Sequence, residues 1–254
     1  MAEASRDLVS LVVPVYNEAE NIIPLLETVS SRVESAHETL LVFDFDEDTT
    51  LPPAREFGKR YPMLRLVRND IGPGVLNALK TGVREARGDV VVVTMGDLSD
   101  DLSQVDEMAA IIRAGAGLVS GSRYMAGGRQ LGGPLIKSTL SRLAGLSLHW
   151  LTGIGTHDAT SNFKAYSRQL IEHVTIDSES GFEFGLEMAT KAHLGGFSVE
   201  EIPTTWTDRT AGESRFRVIK WMPSYLRWYL MCVAGSWSGR SRRARKARSL
   251  TSAR

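Results

Sequence analysis

The sequence is short of cysteine, of histidine and of long apolar runs. Cys232 is the sole cysteine in 254 residues. It cannot close an intramolecular disulfide, which excludes a disulfide-stapled scaffold and fits a reducing compartment such as the cytoplasm. Histidines number only 5, and His157 has no partner at metal-ligand spacing, so no histidine metal site is expected. No apolar stretch reaches the ~18 uninterrupted residues expected of a spanning helix. The nearest, Trp221 to Trp237, is broken by Pro223 and Arg227. Near the N-terminus, Glu3, Arg6 and Asp7 precede a short apolar run ended by Pro14, unlike the layout of a signal peptide.

An excess of one charge sign is also missing. Lys+Arg and Asp+Glu are both 30, which in total argues against a nucleic-acid binder. The charge is nevertheless segregated. From Ser238 onward there are 7 basic residues and no acid, leaving 23 basic against 30 acidic residues before it. A negative body with a positive tail indicates an interaction tail. What is present is otherwise ordinary for a globular protein, with 43% hydrophobic and 24% charged residues.

The first half alternates short β-branched runs with segments of helical spacing. Leu8–Val15, Leu40–Phe45, Leu64–Val67, Asp89–Thr94 and Leu118–Gly121 read as strands. Ala19–Val33, Gly74–Ala86 and Leu102–Arg113 read as helices, with Ile22, Leu25, Leu26 and Val29 on one face of the first. This alternation predicts an α/β fold: a mostly parallel sheet with helices on both faces. Beyond a glycine-rich loop, Gly127–Gly133, helices are expected over Pro134–Leu151, Gly181–Leu194 and Arg217–Ala234. Strands or extended turns are expected over Asp158–Tyr166 and Phe197–Pro203. Ser238–Arg254 is low in apolar content and is expected to be disordered without a partner.

In such sheets ligands bind at the carboxyl ends of the strands. Here those ends carry acids: Glu18; then Asp44, Asp46, Glu47 and Asp48; then Asp97, Asp100 and Asp101. Singly, each reads as a helix cap or a solvated turn residue. Together at one edge they would repel one another, and a divalent cation with oxygen ligands, Mg²⁺ or Mn²⁺, would relieve that repulsion and bridge to a diphosphate.

At this point the chain resembles a family. Val12-Val13-Pro14-Val15-Tyr16-Asn17-Glu18 resembles the opening of family 2 glycosyltransferases, and within them the polyprenol-phosphate (dolichyl-phosphate) mannosyl- and glucosyltransferases. Gly72–Gly82, Gly121-Ser122-Arg123-Tyr124, Asp158–Lys164, Phe184–Glu187 and Asp208–Arg215 resemble later segments of that family, in order. The resemblance spans roughly residues 8–220. It implies a GT-A-like nucleotide-sugar-binding fold and metal-dependent, inverting transfer of a hexose, with a donor of the GDP-mannose or UDP-glucose type and a polyprenyl phosphate as acceptor.

Carried over by position, Pro14, Tyr16, Glu18, Asp44 and Asp97 would meet the donor, and Asp97 the metal. Asp48 matches a further second-strand acid. Arg123, Lys137 and Ser141 would bind the acceptor phosphate, and Arg209 a diphosphate or phosphate. The chain also departs from the family. Phe43 stands where the first of two adjacent aspartates is usual. Met95 replaces the first acid of the Asp-x-Asp motif, so metal binding falls on Asp97, with Asp100, Asp101 or water. Asn162 replaces a glycine.

These residue types suit the chemistry. A metal at Asp97 would neutralise leaving-group charge, and a guanidinium such as Arg209 matches phosphate oxygens in pairs. A phosphate acceptor is already ionised and needs positioning rather than a base. A hydroxyl acceptor would need one, with Asp158 or Glu187 the catalytic candidates. Bland alternatives stand beside these: Arg123 as a turn cap, Lys137 and Ser141 as a solvated helix face, Glu187 as a surface acid, Tyr16 as core.

The aromatic run Trp221–Trp237 reads either as a core helix or as a helix lying at headgroup depth. The basic tail follows it, and near an anionic leaflet each Lys or Arg contributes about 1 kcal/mol. The expected organisation is a catalytic domain (1–215), an amphipathic helix (216–237) and a basic tail (238–254), peripheral at the inner face of the membrane. The body holds no nucleic-acid-binding motif. Three functions remain open: transfer to polyprenyl phosphate, transfer to a glycan or lipid hydroxyl, and a non-catalytic nucleotide-sugar-binding homologue.

Overall fold

The structure is a computed structural model that describes residues 5–179, 181–209 and 218–251. Its centre is a seven-stranded sheet. In chain order the strands are β1 (Ser5–Pro14), β2 (His37–Phe43), β3 (Leu64–Arg68), β4 (Gly88–Val93), β5 (Leu118–Ser122), a short β6 (Arg129–Leu131), β7 (Lys164–Ser167), β8 (Val199–Pro203) and β9 (Thr205–Thr207). The sheet order is β3-β2-β1-β4-β7-β5-β8, and β6 pairs separately with β9. All pairings are parallel except those of β7, which runs antiparallel between β4 and β5.

Period-two alternation divides the core between the two sheet faces. Leu11, Val13, Leu41, Val90 and Val92 pack with α1 (Ala19–Arg32), α2 (Leu51–Gly58) and α4 (Val105–Arg113). Val12, Leu40, Val42, Val91 and Val93 pack with α3 (Val75–Glu85), α5 (Leu135–Thr152), α6 (Arg168–His173), α7 (Phe184–Gly195) and α8 (Val218–Thr251). The continuous apolar runs are therefore buried on both sides, as a covered parallel sheet requires. The expected mostly parallel sheet with helices on both faces is what forms.

Three details differ from the sequence reading. The stretch 158–163 is a loop, and its strand begins only at Lys164. The short α2 and α6 are not evident in the sequence, because neither is long enough to show a helical period. The last helix runs on to Thr251, through residues the sequence reading assigns to a disordered tail. That stretch is rich in Arg, Lys and Ala, all strong helix formers.

Helix α8 has two faces. Trp228 and Cys232 are buried against the domain. Met222, Leu226, Leu230, Met231 and Trp237 are exposed. Tyr229 donates to Ser147 Oγ (2.9 Å) and Trp237 to the Leu151 carbonyl (3.1 Å), so α8 lies along α5. Helix α5 exposes Leu135 (83%), Ile136 (74%) and Trp150 (76%) as well. Among the described residues, no helix is long and apolar enough to cross a membrane.

Candidate active site

Two cavities open at the carboxyl end of the sheet. The first, of about 630 Å³, is lined by Pro14, Tyr16, Glu18, Asp44, Gly74 and Asn77, with Met95, Asp97, Phe182 and Arg209. Its walls are set by acids that act on the chain's own backbone. Asp48 is buried, and its Oδ1 accepts from the backbone N–H of Asn17 (3.0 Å) and Thr50 (2.8 Å). Asn17 takes φ 56°, a conformation that Asn tolerates better than most residues. Its Oδ1 accepts from Thr49 N–H (3.1 Å). These bonds shape the turn that carries Tyr16 and Glu18. Tyr16 is exposed and edge-on to Phe45, with ring centroids 5.2 Å apart, so it is a cavity wall and not core.

Asp44 closes the opposite wall. Its Oδ2 accepts from Gly74 N–H (2.8 Å) and its Oδ1 from Asn69 Nδ2 (2.7 Å). Gly72 and Gly74 have φ of 137° and 118°, which only glycine adopts readily. Phe43 is buried in the core beneath α1 and α2, so Asp44 is the acid that faces the cavity from this strand.

The second cavity, about 560 Å³, is lined by Asp100, Arg123, Lys137, Ser141, Thr160 and Tyr225 among others. Its chief feature is a buried ion pair. Arg123 donates from Nε to Asp158 Oδ2 (2.7 Å), from Nη2 to Oδ1 (2.9 Å) and from its backbone N–H to Oδ2 (3.1 Å). Arg123 Nη2 also donates to Ser141 Oγ (3.1 Å), and Ser141 bonds Thr160 (2.6 Å). Lys137 lies one turn before Ser141 on α5 and lines the same cavity. Burial opposes both charges of the pair, but each partner outweighs that penalty for the other. Asp158 is held below the ordinary carboxylate range and Arg123 above the ordinary guanidinium range. Arg123 therefore offers the cavity a permanent cation in a fixed orientation.

Beneath this loop lies Lys164, fully buried at the head of β7. Its Nζ donates to the carbonyls of Asp158 (3.4 Å), Ala159 (3.2 Å) and Ser161. Burial drives its ammonium down to about 7, partly opposed by Asp158. No motif in the sequence assigns this residue a role. Its one signal is a charge within the otherwise apolar run Phe163–Tyr166.

The cavities meet at Met95, Asp97, Phe182 and Arg209, which line both. Arg209 Nη2 donates to Asp97 Oδ2 (2.6 Å), and Asp97 Oδ1 accepts from Ser99 N–H (3.2 Å). Leu98 between them has φ 61°, strained for a branched side chain. Burial and the charge of Asp97 push the nearby Asp100 carboxyl up to about 6. Among the described residues, no three His, Cys, Asp or Glu converge to hold a metal ion. The donor set fits an ion only if substrate supplies further oxygens, as Mg²⁺ sites built from one or two carboxylates and phosphates do. Asp97 would be the protein ligand, and because its Oδ2 already accepts from Arg209, an ion there would share that carboxylate with the guanidinium.

The structure thus brings Pro14, Tyr16, Glu18, Asp44, Asp97 and Arg209 to one cavity, and Arg123, Lys137 and Ser141 to the adjoining one. Two expected catalytic acids lie elsewhere. Asp158 is sealed behind Arg123 with both oxygens engaged. Glu187 lines neither cavity: it is buried, accepting from the backbone N–H of Asp177 (2.5 Å) and Ser178 (3.0 Å) and from Lys191 (2.7 Å). It is not the surface acid that its helix spacing allows. His157 is taken up by Glu201 (2.5 Å) and stacks on His149 at 4.0 Å. Of the Asp208–Arg215 segment, residues 210–215 lie outside the described residues. Sequence reasoning missed Phe182, Tyr225 and Trp206 as cavity residues. None belongs to a motif, and each reaches the site only through folding.

An α/β sheet with a nucleotide-sized cavity joined to a cationic one at its carboxyl edge is the frame of a nucleotide-sugar transferase. Residues 10–175 match the sequence model for glycosyl transferase family 2, and the chain belongs to that family. It is 31% identical over 229 residues to polyprenol monophosphomannose synthase of Mycolicibacterium smegmatis, covering 83% of this chain and 85% of that protein. It is 29% identical over 214 residues to dolichol-phosphate mannosyltransferase of Pyrococcus furiosus, covering 82% of this chain and 59% of that longer protein. The fold, GT-A-like, matches that of glucosyl-3-phosphoglycerate synthase from Mycobacterium tuberculosis. The complex with Mn²⁺, UDP-glucose and phosphoglyceric acid superposes with a TM-score of 0.68 at 18% identity, covering 89% of this chain and 80% of that one. The Mg²⁺ and UDP complex gives 0.62.

Proposed function

We propose that this glycosyltransferase moves a hexose, with inversion, from a nucleoside-diphosphate sugar to a polyprenyl phosphate. The observation that carries the reading is the fixed Arg123 cation, with Lys137 and Ser141, in a cavity continuous with the donor cavity. The polyprenol-phosphate activity named for the mycobacterial relative supports it. The donor is of the GDP-mannose or UDP-glucose type. Tyr16, Glu18 and Asp44 would border its nucleoside.

A phosphate monoester acceptor has its second pKa near 6, so its oxygen is nucleophilic without a base. Arg123, Lys137 and Ser141 would hold that phosphate, leaving one oxygen aimed at the anomeric carbon. That oxygen forms a bond to carbon as the carbon–diphosphate bond breaks, and the nucleoside diphosphate leaves with the electron pair. Asp97 would hold a divalent ion, Mg²⁺ or Mn²⁺, whose chemistry when bound is to neutralise the leaving diphosphate. Arg209 adds a second positive group on the same side. A hydroxyl acceptor would require a base; Asp158 and Glu187 are engaged elsewhere, which leaves Asp100 as an acid at this cavity for that alternative.

The acceptor's lipid tail argues for a membrane-bound reaction. The exposed apolar faces of α5 and α8, followed by the basic tail, support peripheral docking at the anionic inner face. The test is transfer from labelled GDP-mannose and UDP-glucose to polyprenyl phosphate in vesicles. Product should require divalent metal and fall by about 100-fold or more for Asp97→Ala. Full activity in Asp97→Ala, or transfer in the presence of excess chelator, refutes the assignment of Asp97.

A further inference from the structure

If sugar passes between the two cavities, the anomeric carbon lies where they meet, because nucleophile and electrophile must come within bonding reach. Four residues line that junction. Two of them, Asp97 and Arg209, are an ion pair at 2.6 Å and suit the diphosphate end of a donor. The other two, Met95 and Phe182, are apolar. Charge-seeking and apolar groups therefore share the one place a transferred sugar can occupy. We propose that Phe182, with Met95, forms the wall on which the transferred hexose packs, and that Phe182 is a specificity-determining residue of the donor site. This rests on the sugar-transfer reading above.

A pyranose presents hydroxyls at its edges and C–H groups on its faces. A flat ring offers such a face a large, rigid apolar contact. Phe182 is placed for that purpose by bonds outside its own ring. Its carbonyl accepts from Tyr225 Oη (2.9 Å) on α8 and from Asn162 Nδ2 (3.2 Å) in the 158–163 loop. Asn162 also accepts from Gly185 N–H (2.9 Å), which ties it to the start of α7. One of the two bonds at the Phe182 carbonyl therefore comes from the Asn162 side chain, which a glycine at that position could not supply. The Phe182 ring meets Trp221 edge-on, with centroids 6.4 Å apart and planes at 76°. Gly181 takes φ 111°, and a Cβ there would come within 2.6 Å of Trp221, so the chain before Phe182 lies hard against α8. A side chain held in this way before substrate arrives fixes its contact geometry in advance.

Met95 strengthens the assignment. An acid at this position, as the family resemblance implies, would leave Phe182 as the one apolar residue of the junction. Methionine instead supplies a soft, adaptable apolar surface. In the sequence Met95 stands only as a lost metal ligand. At the junction it is also a surface suited to the sugar's C–H face.

The decisive measurement compares binding of a nucleotide sugar with binding of the same nucleotide lacking the sugar. Isothermal titration with Mn²⁺ would use two pairs, GDP-mannose with GDP and UDP-glucose with UDP. Phe182→Ala should weaken the sugar nucleotide that the wild type prefers by about 10- to 100-fold, the range of a lost apolar pocket contact. The matching nucleoside diphosphate should bind unchanged. Phe182→Leu should retain part of the affinity, and Met95→Ala should shift the same ligand by less. Equal weakening of sugar nucleotide and nucleoside diphosphate by Phe182→Ala overturns the proposal, as does no change in either. If the wild type binds neither pair, the sugar-transfer reading itself falls.

Discussion

Replacing Asp158 with asparagine tests the central electrostatic feature of the acceptor cavity. The wild-type carboxylate takes three bonds from Arg123, at 2.7, 2.9 and 3.1 Å, and further bonds from Thr160 Oγ1 and Ser161 N–H, both 3.2 Å. Its side chain is fully buried and that of Arg123 is 14% exposed. The carboxamide of Asp158→Asn would keep the shape but leave the guanidinium buried without a counter-charge. Breaking such a pair costs about 3–5 kcal/mol, and at about 2–4 °C per kcal/mol the melting temperature should drop by roughly 6–20 °C. Urea titration and thermal melting measure this directly. Arg123 would also lose its fixed direction; with Arg123 in the acceptor-binding role proposed above, the loss of one charge-assisted bond should raise the acceptor KM by about 10- to 100-fold. The donor KM should hold. The pH dependence has a definite sign. Arg123 holds the Asp158 carboxyl below its ordinary range despite burial, so the pair's contribution is complete above about pH 4 and is lost as pH falls through the folded value. The stability gap between wild type and Asp158→Asn should therefore narrow on acidification. An unchanged melting temperature and acceptor KM would refute the reasoning, and so would a gap that widens in acid.

Two further outcomes follow from other parts of the structure. Lys164 is held near pKa 7 by burial, so between about pH 7 and 10.5 the folded state binds fewer protons than the unfolded one and wild-type stability should rise with pH. Lys164→Met should flatten that rise in urea titrations, and an identical slope would count against a buried charge. Replacing Leu135, Ile136 and Trp150 together by serine should leave melting unchanged, because all three are exposed. It should reduce sedimentation with anionic vesicles by at least about tenfold, given about 1.5 kcal/mol or more per inserted side chain. Undiminished vesicle binding would remove α5 from the docking face.

The sheet, its two covered faces and the acids at its carboxyl edge could be read from the chain, because alternation and helical spacing are local properties. So could the cavity turn at Pro14–Glu18 and the cation at Arg123, which sit in motifs at strand ends. The antiparallel β7 could not. A four-residue strand carries no sign of its direction, which is set by pairing with Val93 on one side and Ser120 on the other.

The roles of the acids also came from folding. Asp158 and Glu187 look alike as candidate bases in the sequence. Only packing shows that one is consumed by Arg123, 35 residues away, and the other by backbone amides and Lys191. Arg209 and Asp97 are 112 residues apart, and nothing local links them. Residue types and their order determined the family, the fold and the kind of charge each cavity carries. The tertiary structure decided which charges remain turned toward substrate, because contacts between distant segments spend some carboxylates inside the protein and leave others at the cavity.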